Sequence, residues 1–247
     1  MRCPKCDASQ PDQSETCSAC GIVFRKYYKY HPPEGAEPEE IAETLVIEEI
    51  PTLRDFLLDR ERPFDSLAFG GRLLLFGLIL VWSWPLITSS IDSNYVGESF
   101  LHLVNLPFHE AGHVLFRPFG AFLTSLGGTL GQLAIPLTAG FVLLTKTRDP
   151  FGASVAFWWF GENLLDIAPY INDARAGQLP LLGGNFGHSS PYGFHDWEYL
   201  LGETGLLSMD HTLASLSFFI GSLIMLGTLA WGGFLLLLAW KHRHNSS

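Results

Sequence analysis

The amino-acid sequence predicts an all-α polytopic membrane protein, with about four to six membrane segments and a small zinc-binding unit at its N-terminal end. Hydrophobic residues make up 47% of the 247 residues and charged residues only 16%, below the roughly 25% charge of ordinary soluble domains. The charges are also concentrated, since 14 of the 25 acidic and 8 of the 15 basic residues fall in the first 65 positions. The soluble part is therefore N-terminal.

The first element is a cysteine cluster. Cys3-Pro-Lys-Cys6 and Cys17-Ser-Ala-Cys20 contain all four cysteines of the chain, and two such pairs can close a tetrahedron around one structural Zn²⁺. The surrounding stretch resembles the small zinc ribbons of many bacterial proteins. The alternative is two disulfides, which need an oxidising compartment, and no apolar signal segment precedes the cysteines. We therefore expect a zinc ribbon at residues 1–30 and a cytosolic location for this end. A protein partner at the ribbon is a further expectation.

An acidic linker is predicted at residues 31–65, with a short helix from about Thr52 to Arg60 after Pro51. The formal net charge of the chain is −10. This charge argues against a nucleic-acid partner, because a protein that binds nucleic acid needs basic residues to neutralise phosphates.

From residue 66 onward the chain is predicted to form a membrane domain. Four stretches are long and apolar enough to span it, at residues 70–87, 127–145, 152–171 and 212–240. A fifth, at residues 96–120, is more polar and contains Pro107. If it crosses the membrane, the basic C-terminal end lies outside, against the positive-inside rule; if it dips in and returns, that end lies in the cytosol. Both topologies stay open.

The fifth stretch contains the sequence HEAGH. In an H-E-x-x-H motif on a helix, His109 and His113 share one face and can bind one Zn²⁺, while Glu110 acts as general base on the zinc-bound water. Pro107 suggests that this helix begins near Asn105 or Leu106. Ionisable residues at membrane depth are costly and usually functional, so we expect a site here. The alternative is a polar cluster that only stabilises a helix bundle.

A hydrolytic zinc site needs a third protein ligand. Residues 157–177 are the richest source of candidates, because Asn163, Asp166, Tyr170 and Asp173 share a helical face if the helix continues past Pro169.

Together these motifs resemble the site-2 protease family of intramembrane zinc metalloproteases. Asn163-Leu164-Leu165-Asp166-Ile167-Ala168-Pro169 is similar to the family's second motif, and Asp173 lies close to the position of the family's zinc-binding aspartate. The resemblance implies that His109, His113 and Asp173 bind zinc, that Glu110 is the catalytic base and that Asn163 positions the substrate. It departs from the family pattern at Asp166, where the family has proline, and at Ala174-Arg175-Ala176, where the family has glycine.

Other candidates for the third ligand are Asp166, Glu162, from an E-x-x-x-D pattern of soluble zinc peptidases, and His195.

The expectation is a membrane metallopeptidase-like domain at residues 66–247, in an integral protein of the bacterial inner membrane. It would hold one catalytic and one structural zinc and cleave peptide bonds in membrane or membrane-adjacent proteins or peptides. Two other functions stay open: a non-catalytic scaffold or adaptor that uses the ribbon for protein binding, and an intramembrane metal-handling protein.

Two further features have more than one interpretation. The Gly-rich sequence at residues 127–132 predicts close helix packing or, alternatively, a strand-like strip that docks an extended substrate. His102 is roughly on the face of His109 and is more typical of a supporting histidine than of a fourth ligand.

Overall fold

The structure is a computed structural model that describes residues 1–12, 14–31, 52–58, 65–181, 186 and 195–245. The chain forms two compact units, Met1–Ile50 and Pro51–Ser247. Among the described residues β-pairing is limited to isolated bridges, so the predicted all-α character is confirmed. The helices are α1 (Phe24–Tyr30), α2 (Leu53–Leu57), α3 (Ser66–Thr88), α4 (Phe100–Phe116), α5 (Ala121–Thr145), α6 (Pro150–Asn172), α7 (Asp196–Glu203) and α8 (Asp210–Asn245).

The first unit consists of two similar turns followed by α1. In each turn the first cysteine anchors the backbone: Cys3 N donates to Ala8 O at 3.0 Å, and Cys17 N donates to Ile22 O at 2.9 Å. Buried Phe24, the first residue of α1, packs against the two buried cysteines. The short helix thus supplies a minimal apolar core, which is all that a unit of this size can build without a metal.

Within the described residues of the second unit, three helices are long and apolar enough to cross a membrane, at Ser66–Thr88, Ala121–Thr145 and Leu207–Lys241. This finding indicates a membrane protein, but the predicted count of four to six segments is not confirmed. The helix α4 has only 17 residues, and α6 has its apolar sequence interrupted by two buried carboxylates, Glu162 and Asp166.

The core of the second unit lies between α3, α6 and α8. Trp158 of α6 packs with Leu86 of α3 and Met225 of α8, and its indole N–H donates to Ser83 Oγ at 2.8 Å. The helices α6 and α8 approach closely where Gly161 faces Gly221. A Cβ on Gly161 would lie only 2.8 Å from the carbonyl oxygen of Gly221, so a larger residue would not fit. Close backbone approach of this kind is typical of membrane helices, which gain stability from packing rather than from burial out of water.

The helices α4 and α5 form a tight hairpin joined by a 3₁₀ turn, Arg117–Phe119. A Cβ on Gly131 would lie 2.6 Å from Phe108 O, and one on Gly112 would collide with the backbone of Gly127. The Gly-rich sequence therefore allows close helix packing, which is one of the two interpretations that the sequence offered. The strand-like alternative is wrong, because these residues lie inside α5.

The predicted start of the HEAGH helix is also wrong. The helix α4 begins at Phe100, where the Ser99 side chain accepts a hydrogen bond from His102 N. Pro107 lies inside the helix on an exposed position, and its missing N–H removes one hydrogen bond of the helix.

The predicted short helix in the acidic linker is present as α2. Thr52 N donates to the Asp55 carboxylate at 2.8 Å and so closes its first turn. The last predicted residue, Arg60, lies outside the described residues, as do residues 32–51. The helix is held against the bundle by a hydrogen bond of 3.0 Å from Trp231 Nε1 of α8 to Leu57 O.

Candidate metal centres

Each of the two units contains one group of side chains that can hold a metal ion, and no further such group occurs in the described part of the chain. The first consists of Cys3, Cys6, Cys17 and Cys20. The second consists of His109, His113 and Asp196. Within each group the candidate ligand atoms all lie within 4.8 Å of one another.

The cysteine group has the dimensions of a structural zinc site. All four are free thiols, and the sulfur atoms of Cys3 and Cys20 are 3.7 Å apart, while those of Cys6 and Cys17 are 3.6 Å apart. Thiolates bound about 2.3 Å from a tetrahedral zinc stand about 3.8 Å apart. The donor set therefore fits the predicted ribbon zinc, and the separation is too long for a disulfide.

The histidine group is built by three helices. The side chains of His109 and His113 are one turn apart on α4 and point at α5, where Gly128 leaves room for them: a Cβ there would lie 2.5 Å from His109 Nε2 and 2.6 Å from His113 Nε2. The third member, Asp196, is the first residue of α7. Its Oδ2 lies 3.3 Å from Nε2 of each histidine. Ligand atoms about 2.0–2.1 Å from a tetrahedral zinc stand about 3.3 Å apart.

The proton positions on both histidines follow from their second hydrogen bonds. His113 Nδ1 lies 2.8 Å from Thr124 O, and because a carbonyl only accepts, Nδ1 must donate. Gln132 Nε2 donates to Asp166 Oδ2 at 2.8 Å, which turns Gln132 Oε1 toward His109 Nδ1, 3.1 Å away, so this nitrogen donates as well. Neutral imidazoles of this tautomer leave lone pairs on both Nε2 atoms.

Three acceptor atoms thus converge on one point. Two Nε2 lone pairs and a carboxylate oxygen repel one another unless a cation or a proton lies between them. Imidazole and carboxylate together suit Zn²⁺. The group therefore fits the catalytic zinc predicted from the sequence at His109 and His113, and it supplies a third ligand of the right chemistry.

The third side chain of this group, Asp196, is not the predicted ligand Asp173. Asp173 does not join the histidine pair: its carboxylate accepts hydrogen bonds from Gln178 N at 2.9 Å and Leu179 N at 2.8 Å, and its Oδ2 lies 3.4 Å from His195 Nε2. It is the C-cap residue of α6, where the helix ends. The sequence pattern placed Asp173 on the correct face of α6, which does continue through Pro169 to Asn172, but too far along it.

The other candidate ligands are also placed elsewhere. Asp166 accepts hydrogen bonds from His102 Nδ1 at 2.9 Å and from Gln132, so it supports His109 through Gln132. His102 is thus a supporting histidine. Glu162 and Asn163 lie at the interface of α4 and α6 and contact Asn105. The structure does not bring Asn163 into the metal group.

His195 and Tyr170 hold the segment that carries Asp196. His195 caps α7, accepting a hydrogen bond from Glu198 N at 3.2 Å, and its ring stacks on that of Tyr170, with 4.2 Å between centroids. Burial lowers the pKa of His195, so the imidazole is neutral at pH 7. The Tyr170 hydroxyl accepts from Asp196 N at 3.1 Å and lies 3.5 Å from its Oδ2.

Sequence reasoning missed Asp196 because no local spacing points to it. It lies 87 residues after His109, on a separate short helix. The one signal in the sequence is the polar motif His195-Asp196-Trp197, in which His195 is a candidate ligand. The chain was also compared with family models, curated proteins and solved structures, and it matches none of them.

Proposed function

We propose that this protein is a membrane-embedded zinc metallopeptidase that cleaves peptide bonds in membrane or membrane-adjacent proteins. One observation carries the proposal: His109 Nε2, His113 Nε2 and Asp196 Oδ2 converge on a point that calls for a cation, and Glu110 directly follows His109 on the same helix. A set of three protein ligands leaves the fourth zinc position open, as catalytic zinc sites require. The H-E-x-x-H resemblance to site-2 proteases points to the same chemistry.

Zinc bound by these three side chains would acidify a water molecule and polarise the carbonyl of a peptide bond. Glu110 follows His109 on α4 and is half-buried, so its carboxylate stays accessible to a proton donor. In the proposed reaction it takes a proton from the attacking water and passes it to the leaving amine. Gln132 and Thr124 O hold the two imidazoles in the tautomer that keeps Nε2 available.

The surroundings of the site favour substrates that come from the membrane. Large apolar side chains, including Leu103, Val114, Leu115 and Phe119, are exposed along the hairpin of α4 and α5. Exposed apolar surface of this extent is stable in contact with lipid. The proposed location is an integral membrane position in the bacterial inner membrane with the ribbon in the cytosol; a protein partner of the ribbon remains a prediction from sequence.

The test compares membranes from cells that produce the wild-type chain with membranes from cells that produce Glu110→Gln. Chemical labelling of protein N-termini followed by mass spectrometry detects each cleaved peptide bond. We expect new N-termini in membrane proteins that occur only with the wild type, because glutamine keeps the size of Glu110 but cannot accept the proton. Zinc content should be equal in both proteins, since Glu110 is not among the ligands.

The absence of wild-type-dependent termini, with zinc present in both proteins, would contradict the proposal. It would favour the non-catalytic adaptor, which has no need of a basic carboxylate at position 110.

A further inference from the structure

A second buried polar cluster lies between α4 and α6 and is not one of the two metal groups. We define the acid cluster as Asn105, Glu162, Asn163 and Asp166. The side chains of Asn105, Glu162 and Asn163 belong to residues with 0% exposure, and Asp166 belongs to one with 4% exposure. Two carboxylates at this depth are costly unless each of their charges is compensated.

The hydrogen-bond donors of the acid cluster are all in use. Asn105 Nδ2 donates to Glu162 Oε2 and to Asp166 Oδ2, both at 3.0 Å. Asn163 Nδ2 donates to Trp159 O at 2.9 Å and to Asn105 Oδ1 at 3.2 Å. Each amide nitrogen has two hydrogens, so both amides are fixed in orientation and neither has a further hydrogen to offer.

Two acceptors are left over. Glu162 Oε1 and Asn163 Oδ1 are buried and have no hydrogen-bond partner. A buried acceptor without a donor is expensive, and most expensive when it is part of a charged carboxylate. Exchanging the amide oxygen and nitrogen of Asn163 would not remove the unpartnered acceptor, because the nitrogen is needed to donate to Trp159 O.

The acid cluster also has more negative charge than its surroundings compensate. No lysine or arginine contacts Glu162 or Asp166 in the described part of the chain, and the titratable group that faces them from α4 is His102, 2.9 Å from Asp166 Oδ1. The side chain that reaches Asp166 from α5 is the uncharged Gln132. One histidine can compensate at most one of the two carboxylates.

We propose that the acid cluster binds one small cation through Glu162 Oε1 and Asn163 Oδ1. The cation is either a proton carried by Glu162, for which the amide oxygen is the acceptor, or Na⁺, which prefers oxygen ligands of this kind. Either one would give the unpartnered oxygens a partner and remove the excess negative charge; the two side chains lie in contact, with Asn163 Nδ2 3.5 Å from Glu162 Oε2. The inference does not depend on peptide hydrolysis.

The test measures the thermal unfolding midpoint of the full-length, zinc-loaded protein in detergent micelles. Wild type and Glu162→Gln are compared in NaCl and choline chloride of equal ionic strength, and then over a pH series in choline chloride. Asp92→Asn, which removes an exposed carboxylate far along the sequence from the acid cluster, is the control for the loss of one charge. Because zinc ligands also titrate, only the difference between wild type and Glu162→Gln is interpreted.

If Na⁺ is bound, the wild-type midpoint rises by about 2–4 °C or more when sodium replaces choline, while that of Glu162→Gln does not change. If a proton is bound, sodium has no effect. The wild type then loses stability relative to Glu162→Gln as the pH rises, because the folded state holds a proton that the unfolded state releases more readily.

Two measurements on the wild type alone keep the inference testable if Glu162→Gln does not fold. Equilibrium dialysis with radioactive sodium reports bound Na⁺, and infrared spectroscopy reports the carbonyl band of a protonated carboxyl group. A wild type that binds no sodium and shows no such band, or equal sodium and pH responses of the two folded proteins, would overturn the proposal. A buried water that donates to both oxygens would then be the explanation.

Discussion

Asp196 is the residue on which the proposed catalytic site depends most. Its Oδ2 lies at equal distances of 3.3 Å from the two histidines, while its backbone N–H is fixed by Tyr170. Asp173, which the family resemblance favoured, instead holds backbone amides and faces His195. The two carboxylates therefore lie in different surroundings, Asp196 beside the histidine pair and Asp173 beside backbone amides.

Substitution of each aspartate by asparagine separates their roles. We expect wild-type protein to contain about two zinc ions per chain, one for each group. Asp196→Asn should contain about one, because a neutral amide oxygen is a poor zinc ligand. Asp173→Asn should keep about two, because Asp173 lies outside the histidine group, although its single amide oxygen can accept only one of the two backbone hydrogen bonds. Atomic emission on purified protein measures both, and the reverse pattern would restore Asp173 as the ligand.

The side chain of Gln132 connects the carboxylate of Asp166 to the imidazole of His109. Its amide links Asp166 Oδ2 to His109 Nδ1 by hydrogen bonds of 2.8 and 3.1 Å, in the way that supporting carboxylates orient metal-binding histidines in other sites. Gln132→Leu should raise the dissociation constant for zinc at the histidine group about 10–100-fold.

Thr129→Val is the matched control for Gln132→Leu. Thr129 is also buried on α5, and its hydroxyl has no hydrogen-bond partner, so valine should leave the zinc affinity unchanged. Competition with a chromophoric chelator measures both constants. Equal affinities in the two variants would show that Gln132 does not support the ligand.

At the scale of the helices, glycine decides whether α4 and α5 can approach closely enough to form the site. Position 128 faces both imidazoles, and positions 112, 127 and 131 bring the two backbones together. Membrane helices associate through such small residues because lipid offers no hydrophobic driving force between them. The same sequence therefore provides both the packing and the space for the ligands.

Gly128→Ala tests this dual role. The added methyl group would lie 2.5 Å from His109 Nε2, so at least one imidazole must move and the histidine group should lose its zinc. The control is Gly77→Ala in α3, where a Cβ meets nothing within 4 Å; it should keep its zinc and gain up to about 1 kcal/mol of helix stability. Zinc content and unfolding midpoint check both, and zinc retention by Gly128→Ala would contradict the assigned geometry.

At the scale of the whole molecule, the chain carries two metal groups in two separately compact units. The cysteine group lies within Met1–Ile50 and the histidine group within Pro51–Ser247. Neither group contains a ligand from the other unit. The ribbon has too small an apolar core to fold alone, whereas the helical unit has several buried clusters of its own.

The two metal groups should accordingly be lost independently. Cys17→Ser should reduce the zinc content from about two to about one and make the ribbon sensitive to protease, because structural zinc supplies most of the folding energy of such units. His109→Ala should also leave about one zinc, with an intact ribbon, and the double variant about none. Loss of both ions from Cys17→Ser alone would show that the two units depend on each other.

Local sequence patterns determined much of this protein. The spacing of the cysteines predicted the ribbon group, the apolar stretches predicted the long helices, and the separation of His109 and His113 predicted that they share a face. Each of these follows from periodicity or from ligand spacing within a single element. The Gly-rich sequence also predicted close helix packing.

Only the tertiary structure decided the rest. Asp196 reaches the histidines because Tyr170 and His195 dock α7 at the end of α6, and Asp173 is excluded because α6 ends there in a turn that uses its carboxylate. The start of α4 was set by the cap at Ser99 rather than by Pro107. Sequence spacing specifies which residues share one helix face, whereas a ligand from a distant element is selected by how the helices pack.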